Sequence, residues 1–103
     1  MASSASSKMK SASRAEALRL RLYVAGNAPN SLRAAANIRA ICDEHFASRY
    51  ELEIIDMLKQ PERALLDGII VTPTLLRLQP LPVQKMIGNL SDTNELLLAL
   101  SAQ

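Results

Sequence analysis

Cys42 and His45 stand three residues apart in a chain with one cysteine and one histidine. At that spacing on a helix they offer a candidate two-ligand metal pair. A zinc site needs two more ligands of this kind, and the sequence has no further Cys or His. A reactive thiol needs a helix N-terminus or nearby positive charge to lower its pKa. Cys42 instead falls about three turns into a helical pattern, on its apolar stripe, which predicts an inert packing thiol. Ser31 has no His–Asp partnership in sequence, so a serine nucleophile is not expected. Asp43 and Glu44 are adjacent on a helix, so their carboxylates diverge onto a solvated face.

The stretch Leu22–Ala35, LYVAGNAPNSLRAA, turns an alternating pattern into a helical one. Such corners often hold a phosphate cradle or a reactive cysteine pair. This one matches neither GxGxxG nor GxxxxGK[ST]. It carries no sulfur, so dithiol exchange at that corner is excluded. Gly26 and Pro29 shape the turn, and Asn30 or Ser31 is the expected N-cap. The sequence points to no cofactor.

The 103 residues make one domain. Without tryptophan, and with only Tyr23, Tyr50 and Phe46 aromatic, the core must be Leu, Ile, Val and Ala. The net charge of +2 belongs to the first 17 residues, where Lys8, Lys10 and Arg14 face Glu16; the rest carries nine basic and nine acidic side chains. A neutral domain argues against a nucleic-acid partner, which needs clustered Lys and Arg. A single cysteine rules out an internal disulfide. No apolar run approaches a membrane span, and no apolar segment follows the N-terminal basic residues as in a secretory signal, so a cytoplasmic protein with no membrane partner is expected.

The elements follow from periodicity. Residues 1–16, rich in Ser and Ala, read as a disordered tail and residues 17–103 as the folded domain. Leu18, Leu20, Leu22 and Val24 alternate with polar residues as a strand does. Leu32, Ala35, Ile38, Cys42 and Phe46 mark one face of a helix ending near Ala47. Tyr50 to Met57 is a second strand, completing a βαβ unit. Pro61 opens a short helix, Glu62 suits its positive end and Gly68 its stop. Ile69 to Val71 and Thr74 to Leu78 are strand-like runs around Thr72-Pro73. Gln79 to Pro82 is a stiff turn, Val83 to Ile87 a returning strand, and Asp92 with Glu95 resembles a capping box before a leucine-rich final helix. The order βαβαββα is the thioredoxin-like layout, an α/β fold with a mixed sheet and flanking helices. That layout predicts a cis bond before Pro73, beside the corner.

The segments LYVAGNAPNS, YELEIIDMLKQPERA and VTPTLLRLQPLPVQKMIGNLSD, in this order and spacing, resemble the KaiB family of clock proteins. The resemblance covers about residues 18–98. It implies a non-enzymatic adaptor that binds the ring of a KaiC-like hexameric ATPase and modulates its cycle in circadian timing or a stress response. It implies self-association as a tetramer or dimer, and a clock histidine kinase competing for the same ATPase surface. It also implies a metamorphic chain whose stored packing is βαββααβ in a tetramer and whose partner-binding packing is βαβαββα. Gly26, Pro29, Pro73 and Gly88 fall on the family's structural positions, and its basic partner-facing positions map onto Arg33, Arg77 and Lys85. Glu53 stands where the family is often basic, and Asn89 where Asp is usual. Ala99 and Ser101 occupy places where clock members commonly carry Gly and Asp. Since Gly in a helix costs about 1 kcal/mol relative to Ala, Ala99 is expected to favour the final helix. Two other readings stay open: a thioredoxin-like thiol oxidoreductase using Cys42, and a sensor module acting in trans for a histidine kinase.

Overall fold

The computed structural model describes residues 17–101. The tail expected over residues 1–16 lies outside the described residues. Seven elements follow one another: β1 (Leu18–Val24), α1 (Pro29–His45), β2 (Tyr50–Asp56), α2 (Pro61–Leu66), β3 (Thr74–Gln79), β4 (Gln84–Ile87) and α3 (Thr93–Ser101). This is the βαβαββα order, not the βαββααβ alternative.

The sheet runs β2-β1-β3-β4. β2 lies parallel to β1, with Leu22 opposite Ile54, because α1 carries the chain back across the sheet. β3 and β4 are antiparallel additions, joined by the proline turn. The alternation in β1 faces Leu18, Leu20, Leu22 and Val24 to a core shared with Ile38 and Cys42 of α1, Leu75 of β3, and Leu96 and Leu100 of α3. Each such leucine contributes about 1.5–3 kcal/mol by leaving water. Tyr23 points to the other face, into a smaller core of Ile55, Ala64, Ile69 and Leu76 under α2.

The apolar stripe of α1 sits differently from its expected place. Ser31, Ala34, Ile38, Ile41 and Cys42 are buried, whereas Leu32 is 55% exposed. The rotation follows from Ser31, whose Oγ accepts from the Ala25 backbone N–H at 3.1 Å and so turns inward. α1 stops at His45, short of Ala47, because Phe46 and Ala47 both donate to the Cys42 carbonyl and Ala47 takes a left-handed φ of 47°. Gly68, at φ +69°, ends α2: its N–H donates to Leu65 O while Ile69 N–H reaches Ala64 O. Ile69 to Val71, expected as strand, is not; Ile69 is buried under α2 and Ile70 and Val71 are exposed. Asp92 caps α3 as expected, accepting from Glu95 N–H at 3.1 Å.

Candidate functional site

β1 and β3 are antiparallel, with Tyr23 opposite Thr74. The corner after β1 and the Pro73 segment before β3 therefore share one end of the sheet. At the corner, Gly26 holds φ +54° and donates from its N–H to Asp56 Oδ1 at 3.1 Å. Asp56 also accepts from Leu58 N–H at 2.9 Å, so one carboxylate at the end of β2 ties both loops together. A Cβ on Gly26 would meet Leu58 Cδ1 at 3.4 Å and would have to take a backbone conformation that L residues avoid.

Neither Asn30 nor Ser31 caps α1. The N-cap is Ala28, Pro29 follows inside the first turn, and no side chain caps the helix. Proline lacks an N–H that would need a partner there, and Ser31 is taken up by Ala25. Across the sheet end, the Thr72–Pro73 bond is cis, as are Gln79–Pro80 and Leu81–Pro82. Gly88, at φ +114°, donates from its N–H to Pro73 O at 3.0 Å. Thr74 Oγ1–H donates to Val71 O at 2.6 Å. The loops around this end carry Leu58, Ile70 and Val71 exposed to solvent.

The three basic positions separate. Arg33 is exposed on α1. Lys85 is exposed on β4, and its Nζ donates to Gly68 O at 3.2 Å. Arg77 is not on the surface, which corrects its expected placement: it is fully buried. Its guanidinium donates to Ala99 O at 2.6 Å and Pro82 O at 2.9 Å. β3 is an inner strand with α3 over it, so the side chain meets the proline turn after β3 as well as the last turn of that helix. The carbonyls there lack intrahelical partners and sit at the negative end of the dipole. Ala99 lies in that last turn, half-buried, and Ser101 ends the helix, exposed.

Cys42 is fully buried. Burial, helped by the Asp43 charge, pushes its thiol up to about 12, so the thiolate that redox exchange needs is scarce. His45 has Glu44 at 3.7 Å. Among the described residues no three His, Cys, Asp or Glu side chains gather as metal ligands, and no helix is long and apolar enough to cross a membrane.

The sequence reading missed a polar network on the α2 side. The Tyr23 hydroxyl donates to Asp67 Oδ2 at 2.6 Å and lies 3.0 Å from the Arg63 carbonyl. Arg21 donates to Asp67 at 2.9 Å and to Glu53 at 2.9 Å, and Arg63 donates to Glu53 at 2.7 Å. Burial pushes the Asp67 carboxyl up, but the hydrogen bonds from Tyr23 and Arg21 outweigh it and leave it below the usual range. The bonds from Arg63 and Arg21 likewise lower Glu53. Burial and the Asp67 contact raise Tyr23 to about 12. The one advance signal was Glu53, acidic where the resembled family is often basic.

A family model described as the KaiB domain matches residues 21–102. The circadian clock protein KaiB3 of Synechocystis sp. is 49% identical over 81 residues, covering 79% of each chain. The circadian clock oscillator protein KaiB of Prochlorococcus marinus is 49% identical over 79% of this chain and 77% of its own. Among solved structures, the N-terminal domain of Synechococcus elongatus SasA superposes with a TM-score of 0.69 at 27% identity, over 84% of this chain and 86% of that one. The germline-specific thioredoxin Deadhead of Drosophila melanogaster gives a TM-score of 0.68 at 15% identity, over 91% and 88%, a likeness of fold alone.

Proposed function

The chain belongs to the KaiB family, and on that premise we propose that it is a non-catalytic adaptor of a KaiC-like hexameric ATPase. It docks on the ATPase ring and modulates its phosphorylation or ATPase cycle in circadian timing or a stress response. The observation that carries this reading is the corner. The fold offers the place where thioredoxins keep their cysteines, yet Gly26 to Ser31 holds no sulfur and the one thiol, Cys42, is buried.

The docking surface is the end of the sheet around that corner, with the exposed Leu58, Ile70 and Val71 as apolar contacts and Arg33 and Lys85 as charged ones. Exposed apolar side chains on the loops at this end of the sheet match the core of a protein interface, with charges at its rim. Arg77 lies inside, tying β3 to the last turn of α3 and to the proline turn at the other end of the sheet, so it is not a contact of this surface. In this reading the βαβαββα packing is the partner-binding one, a self-associated state stores the protein, and a clock histidine kinase with a similar domain competes for the same ring. The protein acts in the cytoplasm.

Pull-down with the KaiC-like ATPase in its nucleotide-bound forms tests this. Cys42→Ala should retain full binding, while Arg33→Glu with Lys85→Glu should weaken it about tenfold or more. Retention of wild-type affinity by the double variant would show the surface to be elsewhere.

A further inference from the structure

α2 has six residues and buries one side chain, Ala64. A helix that short has no stability of its own in water. Its C-cap is Asp67, a carboxylate at the negative end of the helix dipole, which is an unfavourable place without partners. The partners come from the sheet. Arg21 and Tyr23 of β1 hold Asp67, Glu53 of β2 holds Arg63, and Arg21 joins the two carboxylates. Lys85 of β4 adds a bond to Gly68 O just beyond the helix. Two strands therefore reach α2 and its cap through charged groups, and a third reaches the residue after the cap.

Two residues along the same strands, Arg19 and Glu51 form a comparable cross-strand pair at 3.4 Å, but both are exposed. They provide an internal control, because the network around α2 does not include them.

We propose that Glu53 and Asp67 form a two-carboxylate lock on α2, so that neutralising either one releases α2 and the loop after it as a unit while the sheet stays folded. The released unit carries Leu65, Leu66 and Ile70, all highly exposed, so the lock governs how this apolar surface is presented. Glu53 bridges Arg21 and Arg63, two like charges that it holds close; without it they repel and α2 loses its tie to β2. Asp67 fixes the other end of the helix through β1. Acid opens the lock by protonating the carboxylates, and salt weakens it by screening.

Residue-resolved hydrogen exchange on the full chain tests the lock, read as protection factors of the Asp67, Gly68 and Ile69 amides, which close the end of α2. Glu53→Gln and Asp67→Asn should lower their protection about tenfold or more, with Leu22 and Ile54 in the strands unchanged. Glu51→Gln should behave as wild type, and 1 M NaCl should mimic Glu53→Gln. Loss of protection in step across α2 and the strands would overturn the proposal, as would a Glu53→Gln variant no different from Glu51→Gln. If Asp67→Asn fails to fold, Glu53→Gln decides alone, since Glu53 is solvent-exposed and its amide isostere fits the same space.

Discussion

The guanidinium of Arg77 donates to the backbone carbonyl of Ala99 over 2.6 Å, joining an inner strand to the last turn of the final helix. Its second bond, to Pro82 O at 2.9 Å, takes in the proline turn between β3 and β4. One buried cation thus fixes the mutual placement of three segments.

Arg77→Met removes the charge but keeps much of the volume. It leaves two carbonyls without their donor, and hydrogen bonds to charged groups are worth about 1.5–3 kcal/mol each. A loss of about 2–4 kcal/mol in unfolding free energy is expected by urea denaturation. Any loss of partner binding should follow this instability, and should vanish under conditions where the variant is fully folded.

Ala99→Gly acts on the same turn through the backbone. The carbonyl that Arg77 needs survives, but helix propensity falls by about 1 kcal/mol. Circular dichroism and NMR should show a less helical C-terminus and a larger population of any competing packing. Unchanged state populations would remove Ala99 as a source of bias.

Cys42 should be silent in the native state. With its thiol pushed to about 12 and no exposed surface, iodoacetamide at neutral pH should label it only after unfolding. Alkylation at the rate of a free peptide thiol would reopen the oxidoreductase reading.

The α2 network contributes to both ends of the pH profile. Asp67 and Glu53 have lowered folded pKa values, so their stabilisation is complete above the usual carboxylate range and is lost as pH falls through the folded values. Tyr23, raised to about 12, contributes fully below its ordinary value near 10 and loses that contribution as pH rises toward 12. Urea midpoints measured against pH should fall on both sides, and Tyr23→Phe should flatten the alkaline side.

Much of the fold was legible because its signals are local. Alternation in β1, Pro61 and Gly68 at the ends of α2, and Asp92 before α3 each act within a few residues, and each stands where the pattern put it. The failures are long-range. Ser31 read as a cap because its type suits one, but Ala25, six residues earlier, claims its hydroxyl. Ile69 to Val71 looked like strand, since a β-branched run does not reveal that only Ile69 will find a helix to pack under. Arg77 read as a surface charge because nothing in TLLRL announces that α3, some twenty residues later, covers it and supplies one of its acceptors. The α2 network was invisible for the same reason: Tyr23, Glu53 and Asp67 are separated by the chain and brought together by the sheet.

Sedimentation velocity of the protein mixed with a KaiC-like ATPase hexamer, in each nucleotide state, tests the adaptor reading most directly. The expected result is a larger ring complex in at least one nucleotide state, formed equally well by Cys42→Ala and weakened about tenfold or more by Arg33→Glu and Lys85→Glu combined. Free migration of the two proteins in every nucleotide state would contradict it.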